Sequence, residues 1–235
     1  MAYEPLSNPS IQFGRAATVD REAAHRVLRN TYALLALSMV PTVLGAWIGV
    51  KTGFSFFAGS PLIGFVVFMA VAFGFFWGIE RNKHSGLGVG LLLAFTFFMG
   101  LMLSRLVGSV LGLANGGQLI MTAFGGTALV FGAMATVATV SKRDFTGLSK
   151  FLFIGMIVIL VAAVANIWLQ MPALSLTISV LAILIFSALI LVDLQRVVRG
   201  EETNYVTATL GVYLSVYNVF SNLLALLGIT SGSND

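Results

Sequence analysis

Residues 151–170 read FLFIGMIVILVAAVANIWLQ, twenty positions without a charged side chain, and after Met171-Pro172 residues 173–192 repeat the pattern. About 20 residues at 1.5 Å each cross the ~30 Å hydrocarbon core of a bilayer as a helix. The apolar run is continuous rather than alternating, which excludes barrel strands and leaves helices, the structure that satisfies its own backbone in lipid. The two-residue break at Met171-Pro172 makes these spans an antiparallel hairpin. Working outward, further windows of this kind fall at 31–50, 62–79, 87–104 and 119–140, and a more polar seventh at 205–228.

Composition agrees. Of 235 residues 58% are hydrophobic and only 9% charged, against about 25% charged in a soluble domain. A water-soluble fold could not cover its surface with so few charges, and a disordered chain would not hold so much Leu, Val, Phe and Ala. The absence of cysteine removes disulfide frameworks, thiolate metal sites and cysteine nucleophiles. The expected fold class is an all-α membrane protein of seven transmembrane helices.

The formal charge of +4 does not point to nucleic acid, because the positives are not gathered on one face. If the spans alternate, one side receives Arg15, Arg21, Arg26, Arg29, Arg81, Lys83, Lys142, Arg143, Lys150, Arg196 and Arg199, and the other only Lys51 and Arg105. Eleven against two places the amino terminus in the cytoplasm, and seven spans then put Asp235 outside. No apolar run precedes Thr31, so a cleaved signal peptide is not expected. Residues 1–30 are expected to form a cytoplasmic tail, unstructured through residue 18 and amphipathic from Asp20 to Arg29. Residues 31–228 form the transmembrane domain and 229–235 a short outer tail.

An ionisable side chain inside hydrocarbon is costly and therefore a functional candidate. Asp193, between Val192 and Leu194, is the one carboxylate that qualifies. If the helix runs on to a stop at Gly200, Asp193 lies roughly 9 Å inside its end. An interfacial Asp offset by Arg196 one turn later fits the same periodicity. Within 205–228, Thr207, Gly211, Ser215, Asn218 and Asn222 fall on one stripe of a 3.6-residue helix, with Tyr213 and Tyr217 on another flank. Amide and hydroxyl groups facing lipid are expensive, so this last helix is expected at the centre of the bundle. The stripe either bonds helices together or lines a polar pathway. GxxxG spacings at Gly45/Gly49, Gly74/Gly78 and Gly86/Gly90 allow close helix approach.

Catalysis is not expected. His25 and His84 lie in the tail and a connection, no HExxH, Ser–His pair or P-loop can be assembled, and Asp193 has no second carboxylate at membrane depth to share a proton. No metal site and no cofactor are expected.

Several segments in order resemble one family: 27–32 (VLRNTY), 125–131 (GGTALVF), 164–167 (VANI), 169–174 (LQMPAL), 202–205 (ETNY), 213–220 (YLSVYNVF) and Leu223-Leu224. Together they are similar to the Bax inhibitor-1 family, in its bacterial YccA-like branch of modulators of the membrane protease FtsH. The resemblance, from Val27 to Gly228, implies seven helices with the last enclosed by the other six. In calcium-leak members, two Asp residues on the last two helices share a proton and close a pH-sensitive pore. Asp193 matches the first, while Ser215 stands where the second is expected, adding no charge and one hydroxyl for a cation that prefers several oxygens. Arg81 is the candidate for the basic residue that latches that pair.

The resulting expectation is a multi-pass inner-membrane regulatory protein, in contact with the bilayer, that associates with FtsH. Arg15, Arg21 and Arg26 mark the tail the protease would engage. The competing expectation is a proton-sensitive calcium or cation leak gated at Asp193 with Ser215, Asn218 and Asn222, which would make Ca2+ or H+ a partner.

Overall fold

The computed structural model describes residues 9–54 and 61–232, with side chains from residue 22 onward in the first stretch and from 63 onward in the second. Its helices are α1 Pro9–Thr52, α2 Pro61–Asn82, α3 Gly86–Leu111, α4 Gly116–Val140, α5 Ser149–Leu169, α6 Pro172–Val198 and α7 Tyr205–Gly232, with a 3-10 turn at Thr146–Leu148 before α5. By length and composition all seven are able to cross a membrane. There is no strand among the described residues.

The helices extend beyond the apolar windows because their ends are polar rather than unfolded. α6 shows how one such end is made. Gly200 takes φ +75, a left-handed conformation that suits glycine, and the amides of Gly200 and Glu201 donate to the carbonyls of Val197 (3.0 Å) and Arg196 (2.9 Å). At the opposite end Pro172 occupies the first turn, where its missing N–H costs nothing. Asn166 closes the α5–α6 hairpin: its Oδ1 accepts from the Met171 amide at 3.0 Å and its Nδ2 donates to Ser175 Oγ at 2.7 Å.

α1 differs from the sequence expectation. Of the stretch expected to lack structure, residues 9–18 are helical and run straight into the span, while residues 1–8 lie outside the described residues. Residues 233–235, within the stretch expected as an outer tail, also lie outside them.

The tightest pairing joins α1 to α3. A Cβ on Gly45 would collide with the Phe97 carbonyl, one on Gly49 with the Ser104 side chain, and one on Gly100 with the Thr42 carbonyl. Of the three GxxxG spacings only this one brings two backbones together: Gly74, Gly86 and Gly90 face open space, and Gly78 meets only the Leu91 side chain.

α7 packs on α1, α2, α3, α4 and α6, and no residue from Asn204 to Gly228 is exposed. α5 instead packs on α6 and the 3-10 turn, and Leu152 is its one buried residue. Tyr213, fully buried, anchors the core among Phe95, Ile190, Val212 and Leu194.

Candidate functional site around Asp193

Asp193 sits five residues before the end of α6, half-buried, and faces α7. Its carboxylate lies against the backbone of Gly211, where an added Cβ would fall 3.2 Å from Oδ2. Among the described residues it makes no hydrogen bond and no ion pair; Arg196 and Glu202 are the charged groups whose fields reach it. The sequence left a buried and an interfacial position open. The structure places the carboxylate between two helices, with Arg196 exposed one turn further on.

Ser215 is buried on the Gly211 face of α7, one turn deeper, and no hydrogen bond joins it to Asp193. The Asn218 and Asn222 amides donate within their own helix, to the carbonyls of Leu214 and Asn218, each at 2.8 Å. The two tyrosines on the other flank do reach across: Tyr213 Oη and Thr42 Oγ1 lie 2.8 Å apart, and Tyr217 Oη donates to the Met99 carbonyl at 3.2 Å. Within α7 the cross-helix bonds thus come from the aromatic flank, and the amides satisfy themselves. Arg81 is exposed, its guanidinium 5.2 Å above the ring of Trp77 on its own helix, beside the Lys83–Glu80 ion pair.

Two amides absent from the sequence-derived site organise this end of the bundle. Gln195, fully buried, accepts from the Phe145 amide at 2.6 Å and donates to the Arg143 carbonyl at 2.8 Å, fixing the α4–α5 connection to α6. Asn204 caps α7 by accepting from the amides of Val206 (2.8 Å) and Thr207 (3.3 Å), and its Nδ2 donates to the Lys83 carbonyl at 2.9 Å. That residue type directly before a span is a capping signal; Gln195, two positions after Asp193, is a second polar group in an apolar run. In the same region Asp144 accepts from the Thr146 hydroxyl (2.7 Å) and amide (2.8 Å) and pairs with Arg199 at 3.2 Å. These bonds, the hydroxyl's first, hold its carboxyl below the usual range.

Arg26 is exposed on α1 and, with Glu22, His25 and Arg29, lines an open depression beside that helix. Arg15 and Arg21 belong to the same helix, their side chains outside the described residues. Among the described residues no three His, Asp or Glu gather in a way that could hold a metal ion.

Comparison with known proteins covers nearly all of this architecture. Residues 24–232 match the family profile described as Inhibitor of apoptosis-promoting Bax1. An uncharacterized protein of Neisseria meningitidis is 37% identical over 219 residues, 92% of this chain and 96% of its own. The Escherichia coli protein named Modulator of FtsH protease YccA is 36% identical over 209 residues, 89% of this chain and 92% of its own. Another relative, from Pseudomonas aeruginosa, is uncharacterized and 34% identical over 229 residues, 97% of this chain. A profile match from the basic extension of α1 to the end of α7 shows that this seven-helix chain belongs to the Bax inhibitor-1 family.

Proposed function

We propose that the protein is an inner-membrane partner of the ATP-dependent protease FtsH and modulates its activity. The observation that carries this is the 36% identity to YccA, a protein named for that role, over 209 residues and 89% of this chain. The physical logic adds a handle and a resistance. α1 begins at Pro9, well before its apolar window at 31–50, and an isolated helix of a few turns is marginal in water, so in this reading its first turns offer an end to grip. Behind it, α1 is locked to α3 by backbone contact at Gly45 and Gly100 and to α7 through Thr42 and Tyr213. Pulling on α1 therefore loads the middle of the bundle, which slows extraction and occupies the protease. No catalytic group is needed.

In this reading the amino end and the basic connections face the cytoplasm and Asp235 lies outside, residues 31–228 forming the membrane domain. Affinity purification from native membranes in mild detergent tests the association, with FtsH expected in the eluate. Deletion of residues 1–20 is expected to slow degradation of the protein. Absence of FtsH from the eluate overturns the reading. A tag after Asp235 that only cytosolic reagents reach overturns the orientation.

One observation favours a second reading, a proton-sensitive cation leak: the half-buried Asp193 carboxylate faces α7 without a hydrogen bond. Calcium efflux from reconstituted liposomes tests it. Efflux equal to that of empty liposomes eliminates the leak, and efflux whose pH dependence is unchanged by Asp193→Asn eliminates its gating at Asp193.

A further inference from the structure

α4 and α5 are consecutive helices joined by residues 141–148, yet each packs on α6 without packing substantially on the other. Neighbours in sequence usually neighbour in space, so the gap between them is a feature to be explained. Its floor is a single face of α6. Thr177, Leu181, Leu184, Ala188, Leu191 and Gln195 follow one another at alternating steps of four and three, which stacks them on one side of the helix.

The stripe is covered at one end and open at the other. Gln195 is 1% exposed because the α4–α5 connection lies across it, held by the bonds to Phe145 and Arg143. Leu181 and Leu184 are 46% and 62% exposed. The result is an apolar groove between α4 and α5, closed at the basic end of the bundle by a fixed segment of chain.

That segment is charged in a particular way. Lys142 and Arg143 are exposed on it and Lys150 follows in the first turn of α5, none of them in an ion pair among the described residues. The acid beside them, Asp144, is engaged by Thr146 and Arg199. Three cations thus stand uncompensated at the closed mouth of the groove. From Gln195 to Leu184 is eleven residues, roughly 16 Å along the helix, about half of a ~30 Å hydrocarbon core. One acyl leaflet has that depth.

We infer that the groove between α4 and α5 is a binding site for an anionic phospholipid, its headgroup held by Lys142, Arg143 and Lys150 and an acyl chain laid on Leu181 and Leu184. Phosphate and a net negative charge complement the three cations, and a flexible chain fits a floor of leucines. A transmembrane helix of another protein would find few small residues there for close approach.

Native mass spectrometry of the intact protein, delipidated in mild detergent and titrated with phosphatidylglycerol or phosphatidylethanolamine, reads this directly. One phosphatidylglycerol is expected to be retained several-fold more strongly than phosphatidylethanolamine. Lys142→Gln with Arg143→Gln should lower phosphatidylglycerol affinity about tenfold, through exposed side chains whose loss leaves the Gln195 bonds intact. Lys51→Gln with Arg105→Gln, the same charge removed at the other end, should change nothing. Leu184→Trp should weaken retention by filling the floor, with an unshifted melting temperature showing that the bundle is intact. Equal retention of the two lipids, or an unaffected Lys142/Arg143 variant, overturns the site. Retention that ignores Leu184→Trp in a folded protein overturns the groove.

Discussion

The Asp193 carboxylate rests on the α7 backbone at Gly211, with 3.2 Å between Oδ2 and the position a Cβ would take. The contact is tight but ends in a side chain that can give by a few tenths of an ångström. Gly211→Ala is therefore expected to change stability by less than ~1 kcal/mol, since the helical propensity gained offsets the crowding. Gly211→Leu forces the two helices apart and should cost about 1–3 kcal/mol. Thermal unfolding of both variants in detergent, followed by tryptophan fluorescence, checks the ordering.

The hydroxyls of Tyr213 and Thr42 link α7 to α1, and Thr42 also donates toward the Ser38 and Thr96 carbonyls. Tyr213→Phe leaves Thr42 with those acceptors, so the loss should be modest, about 0.5–1.5 kcal/mol. Thr42→Val should cost a similar amount, and the double variant less than the sum, because both remove one bond. A strictly additive cycle in denaturant unfolding would show that the pair is not coupled.

Gly100 and Gly74 separate close approach from composition. A Cβ on Gly100 meets the Thr42 carbonyl and the Ala46 amide, backbone that cannot rotate away; a Cβ on Gly74 meets nothing within 4 Å. Gly100→Ala should destabilise by about 1–3 kcal/mol. Gly74→Ala should be neutral or stabilising by up to ~1 kcal/mol. Melting temperatures moving in the same direction would contradict the packing.

This contrast shows what the sequence could and could not convey. Continuous apolar runs made the seven spans legible, and Gly200 marked the end of α6. Three GxxxG spacings looked alike, however, because the spacing says nothing about which face a partner covers. The polar stripe of α7 was visible, but not that Asn218 and Asn222 would satisfy themselves within the helix while Tyr213 and Tyr217 crossed it. Gln195 escaped notice since an amide near a helix end reads as an interfacial residue; only the returning α4–α5 connection makes it buried. Helix at 9–18 was hidden by the Pro, Asn and Ser content around it, which reads as an irregular tail.

Asp144 lies outside the membrane spans and gives a pH prediction with a definite sign. Its carboxyl is held below the usual range by the Thr146 hydroxyl, then the Thr146 amide, and by Arg199. A depressed folded value means the stabilisation is present above the unfolded value and lost as pH falls through the folded one. The α4–α5 connection should thus loosen only in acid below the ordinary Asp range. The protection of the Thr146 amide against hydrogen exchange, measured against pH and corrected for the intrinsic rate, should fall there. Asp144→Asn should remove that step, and a step that persists in the variant assigns it to another group.

Asn204 performs two tasks that substitution can separate. Its Oδ1 caps α7 at the amides of Val206 and Thr207, and its Nδ2 ties the α2–α3 turn through the Lys83 carbonyl. Asn204→Ala removes both and should cost about 1–2 kcal/mol, the range of a lost cap with a further bond. Asn204→Asp keeps acceptors for the cap and adds a negative charge at a helix N-terminus, which the helix dipole favours, while giving up the donor to Lys83. The Asp variant should then retain most of the stability of α7 but free the α2–α3 turn. Hydrogen exchange distinguishes the two: protection at Val206 and Thr207 should fall in the Ala variant alone, and protection of the Ser85 amide, which closes the α2–α3 turn on the Asn82 carbonyl, should fall in both. Equal loss at α7 in the two variants would mean that the tie to Lys83, rather than the cap, holds the start of α7 in place.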